Sequence, residues 1–542
     1  MAIRLAITVA GAVSLGSYEA GVLYELLDAI AQHNASVTDE NKIVVDVVTG
    51  ASAGGMSVTV LAQKLLFEAD SLADPYNNVL YRAWVRDIQL QGLLALQHGE
   101  DPTHSVLSSN LVETLSKKYL CQRYSTHIPP TPVRHPASAD QIRLGLALSN
   151  LNGIDYSHKM RPNQTFTYTR FEDQLSAMAD PTSDALSFWE PLRNAAVSCG
   201  AFPFAFRVKD LVRRRSEYDS PDIDFPSPFE TFAYTDGGVF QNEPLGLAKN
   251  LVDEIDHHLD TESRFYLFIA PHAKKSTAHA DFNAANADYR ATAVQLFNAV
   301  YGQAAFQDWI QAEQVNELLA TFNSRALELK DALESNRIQS APLQDAADAL
   351  LPLLFGVESA GAETGRQRLR RQFQKEFDDL ARATSPHVGD TWIDSILVLE
   401  TAAGLGERDE MVIYGITAKA EELAGSGLDA FVGFCAQEYR DHDYDVGRTK
   451  AREFLQNSSG LLGTEGNLPV LQNYVPKPVR PIDAKLDGLT LADVPRELRE
   501  TIKGRLSDRA NDLLKELNMP WAERGLVMTF FINKQIAKML NL

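Results

Sequence analysis

The sequence predicts an α/β protein with a mostly parallel sheet flanked by helices, followed by a mainly helical C-terminal region. The first observation is the opening strand–helix–strand pattern, at residues 5–10, 18–32 and 43–49, which is the unit of parallel sheets. The second is a set of further strand patterns at residues 142–148, 166–171, 232–235 and 265–270, with helical patterns between them. The third is helical spacing of apolar side chains almost throughout residues 276–454.

We expect three segments along the chain, because its length of 542 residues exceeds what one hydrophobic core requires. The segments are an α/β domain at residues 1–275 with a helical insertion at about 63–120, a helical region at 276–468, and a proline-rich connection with C-terminal helices at 469–542.

The composition is that of a globular protein, with 45% hydrophobic and 23% charged residues, and excludes a disordered chain. The net charge of −21 disfavours nucleic acid as a partner and repels anionic lipid. Three cysteines are too few for a disulfide framework, so we expect a cytoplasmic location. Contact with a membrane would be peripheral, because the sequence has no run of 18 apolar residues. Residues 1–13 also resemble a short signal peptide, but the single basic side chain and the following glycine turn favour a buried strand.

The segment from Gly50 to Gly54 fits the pattern G-x-S-x-G and lies between a predicted strand and a predicted helix. In such an elbow the serine has a strained backbone, and the two glycines let the strand and the helix pass closely. Ser52 would then begin a helix, whose unpaired N–H groups favour developing negative charge. The alternative, a packing turn or a phosphate-binding loop, lacks the lysine of a Walker loop. The pattern therefore predicts Ser52 as a nucleophile.

A serine nucleophile needs a base, and the best candidate is Asp236, where a predicted strand ends in Asp-Gly-Gly. Partial burial would raise the pKa of this carboxylate toward the range useful for general base catalysis. One alternative is a turn without chemistry. Another adds His272, which follows the strand at 265–270 and would complete a Ser-Asp-His triad in chain order.

One polar cluster in the sequence, Arg440 to Asp445, has side chains that could bind a metal, but it is more typical of a charged loop beside a helix. We therefore predict neither a metal site nor an organic cofactor.

The two motifs resemble those of the patatin-like phospholipases, serine acyl hydrolases with a Ser-Asp dyad and no histidine. That family builds its oxyanion hole from a G-G-G-x-R-G-like loop after the first strand. Here residues 11–16 read Gly-Ala-Val-Ser-Leu-Gly. Residues 16–23, Gly-Ser-Tyr-Glu-Ala-Gly-Val-Leu, closely follow the stretch G-A-Y-x-x-G-V-L that often comes next in the family. Two glycines and the basic residue are replaced, which is similar to larger bacterial members with a Gly-Val-Ser-Leu run. A stretch at 195–203 is also similar to the family's A-x-x-x-S-x-x-x-P, so the likeness covers residues 1–275.

The resemblance implies a lipid acyl hydrolase that cleaves fatty acyl esters of a lipid or phospholipid through an acyl-enzyme on Ser52. Backbone N–H groups of Gly11, Ala12 and Val13 would form the oxyanion hole. Valine does not readily adopt positive φ, so a misdirected donor would leave a catalytically weak or inactive lipid-binding or scaffold protein on the same fold. The sequence predicts no particular protein partner or oligomer.

Overall fold

The computed structural model describes residues 3–126, 129–160, 164–218, 223–225, 227–256, 264–272, 282–283, 287, 289–304, 307–356, 360–383, 387–405, 411, 413–428, 431–456, 471, 474–516, 518–539 and 542. The chain forms two compact units, one of residues 1–308 with 413–542 and the other of residues 309–412.

The strands are β1 (Ile3–Val9), β2 (Ile43–Gly50), β3 (Ser138–Met160), β4 (Gln164–Ala179), β5 (Lys209–Arg214), β6 (Ile223–Asp224), β7 (Phe229–Asp236), β8 (Arg264–His272) and β9 (Ile413–Ala418). The helices are α1 (Gly16–Asn34), α2 (Ser52–Phe67), α3 (Val79–Tyr81), α4 (Leu90–Leu94), α5 (Ser109–Ser116), α6 (Leu186–Cys199), α7 (Leu245–Asp256), α8 (Tyr289–Ala304), α9 (Gln307–Glu334), α10 (Ser340–Phe355), α11 (Ala360–Gln372), α12 (Gln374–Ala383), α13 (His387–Ala402), α14 (Gln437–Gln456), α15 (Arg496–Glu516), α16 (Trp521–Val527) and α17 (Asn533–Met539).

The larger unit contains one mixed sheet in the order β5-β7-β3-β2-β1-β8-β9, with β4 and β6 paired to β3. Its central strands β3, β2, β1, β8 and β9 are parallel, whereas β4, β6 and β7 run antiparallel to β3. Strands β1 and β2 are buried nearly throughout, as expected for the middle of a parallel sheet with helices on both faces. The predicted α/β fold class is therefore confirmed.

The described part of residues 276–454 is mainly helical, as expected, but it also contains β9, which was not predicted and pairs in parallel with β8 at the sheet edge. Its six residues are too short a run for periodicity to distinguish a strand from part of a helix. The same brevity explains why β5 and β6 were not predicted.

Residues after 412 pack into the same unit as the first 308 residues, so the contact-defined units differ from the predicted boundaries at 275 and 468. Beyond β9, helix α14 packs along α1, and Arg448 of α14 donates a 2.8 Å hydrogen bond to Glu25 of α1. Both side chains are fully buried, and a buried charge is tolerated only when it is paired.

The polar cluster from Arg440 to Asp445 belongs to α14 and is not a loop. Most of its side chains are buried. Their burial is tolerated because they form hydrogen bonds with backbone and side-chain groups of neighbouring elements of this unit. Among the described residues, no group of three His, Cys, Asp or Glu side chains is arranged to hold a metal ion.

The smaller unit is helical, and α13 packs against α10, α11 and α12. Its core contains Trp392, whose indole N–H donates a 2.8 Å hydrogen bond to the carbonyl of Ala326. Within the described part of the chain, no helix is long and apolar enough to cross a bilayer.

Candidate active site

The turn between β2 and α2 is a sharp elbow with Ser52 at its apex. Ser52 has a φ of 50°, in the left-handed region that is unfavourable for a residue with a Cβ. A Cβ on Gly54 would lie 2.3 Å from the carbonyl oxygen of Val9, and one on Gly50 would lie 2.6 Å from Gly54 itself. Only glycine fits at these two positions, so the sequence spacing of the motif follows from the close packing of β1, β2 and α2.

The hydroxyl of Ser52 donates a 2.6 Å hydrogen bond to Oδ2 of Asp236. The structure thus brings together the predicted nucleophile and the predicted base, which are 184 positions apart in the chain. Asp236 ends β7, which runs antiparallel to β3 and pairs through Asp236 with Leu148. β3 extends past the end of β2, and β7 pairs with this extension. Because β7 runs antiparallel to β3, its last residue, Asp236, lies at the edge of the sheet that carries Ser52.

The carboxylate of Asp236 is fully buried, and this burial raises its pKa to about 7. The hydrogen bonds from the hydroxyl of Ser52 and from the N–H of Gly238, at 2.6 and 2.7 Å, favour the charged form and oppose the rise. A carboxylate with this pKa can take and return a proton near neutral pH.

The loop after β1 lies directly against Ser52, since a Cβ on Gly11 would be 3.0 Å from the Ser52 Cβ. The N–H of Gly11 donates to the carbonyl of Asn242 at 3.1 Å, so this predicted oxyanion donor is already engaged. The N–H groups of Ala12 and Val13 make no hydrogen bond to the described part of the chain. Val13 has a φ of 48°, a positive value that valine does not readily adopt.

Asn242 is a site residue that sequence reasoning missed. Besides its carbonyl bond to Gly11, its side-chain amide donates to the Gly11 carbonyl at 3.4 Å, and its Oδ1 would be 2.2 Å from a Cβ on Gly11. It follows Asp236 by six residues. The one feature of the sequence that could have identified it is that it is a polar residue in the loop after the aspartate.

An apolar pocket opens beside Ser52. Its walls come from α2, α6, the region between residues 80 and 120, and the segment that contains Phe431 and Phe434. No charged side chain is found among the described residues that line it. Its hydroxyl-bearing lining residues are Ser52, Ser57, Ser116 and Tyr119, and Trp84, Phe202 and Phe206 provide much of its aromatic surface.

The predicted helical insertion at 63–120 thus forms one side of this pocket, through Leu80, Trp84, Ile88, Val112 and Leu115. The contributions of Phe431 and Phe434, nearly two hundred residues beyond Asp236, were not foreseen. Phe431 packs edge-to-face against Phe202 and Phe206, at centroid distances of 5.7 and 5.6 Å.

His272 lies at the end of β8, two strands away from β2, in register with Ala418 of β9. Its side chain lies outside what the structure describes. The hydroxyl of Ser52 reaches Asp236 directly, whereas in a triad an imidazole separates the serine from the carboxylate.

The patatin-like phospholipase family model matches residues 7–249, which include the end of β1, the elbow, Asp236 and Asn242. The sheet and this match define an α/β domain of the lipid acyl hydrolase class. Residues 7–249 are therefore a patatin-like phospholipase domain. No curated protein matches the chain significantly.

Proposed function

We propose that this protein is a serine-dependent lipid acyl hydrolase of the phospholipase A type, in which Ser52 is the nucleophile and Asp236 the general base. The observation that carries the proposal is the 2.6 Å hydrogen bond between the two side chains beside an apolar pocket. The patatin-like domain gives the reaction class.

In the first half of the reaction Asp236 accepts the hydroxyl proton as Ser52 attacks the ester carbonyl. The N–H groups of Ala12 and Val13 stabilise the oxyanion, and the N-terminus of α2 adds to this field. Asp236 then gives its proton to the leaving alcohol, so the products of this half are the free alcohol and an acyl-Ser52 ester.

In the second half Asp236 takes a proton from water, and the resulting hydroxide attacks the acyl-Ser52 carbonyl. Collapse of this second tetrahedral intermediate releases the fatty acid and returns the proton to Ser52. Each half thus uses the carboxylate once as base and once as acid, which suits a pKa of about 7.

We place the acyl chain in the apolar pocket and the headgroup outside it. The lining has no charged side chain among the described residues, so it offers no partner for a phosphate. Leu15, where the family has a basic residue, is buried and supplies no charge either.

Peripheral contact with a lipid surface is part of the proposal. Phe204 lies between the pocket-lining Phe202 and Phe206, is 80% exposed, and has a φ of 67°. An exposed aromatic side chain held in a strained conformation beside a pocket is typical of a functional position. Phe204 would enter the lipid surface and place the pocket opening against it.

The proposal is tested by incubating lipid extracts with the wild type and with Ser52→Ala and comparing released fatty acids by mass spectrometry. We expect release by the wild type and covalent labelling of Ser52 by a fluorophosphonate probe, and neither for the variant. Ser198→Ala is a matched control, because among the described residues its buried hydroxyl bonds only to a carbonyl of its own helix. A wild type that neither labels nor releases fatty acid would favour the inactive lipid-binding alternative.

A further inference from the structure

Ser14 and Leu15, the two residues after the proposed oxyanion donors, are buried beneath residues that lie outside the patatin-like domain. A Cβ on Gly433 would be 2.4 Å from Oγ of Ser14 and 2.9 Å from its Cβ. A Cβ on Gly425 would be 2.9 Å from Cδ2 of Leu15. The backbone at these two glycines therefore rests directly on the loop.

The turn that contains Gly425 is held in place by Asp443 of α14. The buried Asp443 carboxylate accepts hydrogen bonds from the N–H groups of Ala424 and Gly425, at 2.7 and 3.0 Å. The neighbouring His442 bridges Asp443 and Asp487, at 3.2 and 3.0 Å. This network fixes the turn to α14, which in turn packs along α1, the helix that begins after the loop.

The loop needs such support because of Val13. A β-branched residue at positive φ costs about 1 to 3 kcal/mol relative to a relaxed conformation and persists only when its surroundings impose it. A glycine at this position would adopt the same conformation without strain. In this chain the conformation that frees the N–H of Val13 has to be imposed from outside the loop.

We propose that Gly425, Gly433 and Asp443 are positioning residues, through which the C-terminal region holds Ala12 and Val13 as oxyanion donors toward Ser52. This inference rests on the proposed function. It assigns to residues 423–428, 431–435 and α14 a supporting part in catalysis, exerted through the oxyanion loop, that the patatin-like domain alone does not contain.

The test is Gly433→Ala in the full-length protein, assayed with a soluble p-nitrophenyl ester. The added methyl group displaces Ser14 and misdirects the donors, so we expect kcat and the rate of fluorophosphonate labelling to fall by about 10², with KM little changed. Gly415→Ala is the matched control, because a Cβ on this β9 glycine meets no atom within 4 Å. Melting temperatures of both variants separate misfolding from mispositioning.

The double variant Ser14→Gly with Gly433→Ala removes the atoms that clash and should restore most of the lost kcat. An effect transmitted through Phe434, which lines the pocket, would instead raise KM and persist in the double variant, and would overturn the inference. If Gly433→Ala does not fold, Gly425→Ala tests the same contact through Leu15. A wild type with normal turnover beside a Gly433→Ala variant of equal kcat would overturn the inference but not the proposed function, whereas an inactive wild type would overturn both.

Discussion

The hydroxyl of Ser52 bonds directly to the Asp236 carboxylate, and the other oxygen of that carboxylate accepts the N–H of Gly238. One oxygen of this fully buried carboxylate thus binds the serine hydroxyl, and the bond from Gly238 to the other oxygen fixes the orientation of the carboxylate.

The activity should depend on pH through Asp236. Only the ionised carboxylate accepts the Ser52 proton, so kcat/KM should rise with pH and level off above a midpoint of about 7. A pH–rate profile with a soluble ester measures this, with enzyme returned to the plateau pH as the control for inactivation. A midpoint close to the ordinary aspartate pKa of about 4 would contradict the assignment.

Asp236→Asn should abolish activity but stabilise the fold above neutral pH. Because the folded pKa is raised, folding favours the protonated form, and the wild type loses stability as pH rises from the unfolded pKa to the folded one. Asparagine mimics the neutral acid, so its advantage should grow by about 1.4 kcal/mol per pH unit between about pH 4 and 7. Urea unfolding of both proteins across this range measures it, and an advantage that shrinks with rising pH would contradict the raised pKa of Asp236.

His272→Ala should leave ester hydrolysis within about twofold of wild type, because Ser52 needs no imidazole to reach its base. In a triad the same change would lower kcat by several orders of magnitude. Steady-state kinetics with a soluble ester distinguish the two, with Asp236→Ala as the reference for complete loss.

Gly11→Ala should lower kcat by about 10² to 10³, since its Cβ would overlap the side chain of Asn242 and press on Ser52. Gly504→Ala is the control, because its Cβ meets no atom within 4 Å on the exposed face of α15. Equal kcat values for the two variants, measured with folded protein, would show that the loop after β1 does not shape the site.

Phe204→Ser should weaken binding to phosphatidylcholine vesicles by about tenfold, because one aromatic side chain no longer enters the lipid. The measurement is vesicle sedimentation in a Ser52→Ala background, where no lipid is consumed. Phe229→Ser removes another phenylalanine, 56% exposed, on β7 and should bind as before. Equal losses for both variants would assign lipid contact to general hydrophobicity rather than to the pocket entrance.

The features that sequence reasoning placed well are local. The strand–helix–strand opening and the elbow at Ser52 were predicted to within a few residues, because continuous apolar runs mark the buried strands and glycines mark the close approaches. Asp236 could be named because a strand ended at it. The antiparallel direction of β7 relative to β3 could not be predicted, because a strand has the same side-chain periodicity in either direction.

The sequence by itself determined the fold class and the elbow and identified Ser52 and Asp236 as candidates, because each of these features depends on a short stretch of chain. Only the tertiary structure decided that the N–H of Gly11 donates to the carbonyl of Asn242 and that β9 joins the sheet. It also decided that the segments containing Phe431, Phe434 and Asp443 lie near the loop after β1. An apolar side chain in a sequence indicates that it will be buried, but it does not indicate which distant segment of the chain will pack against it. That choice depends on how the whole chain packs.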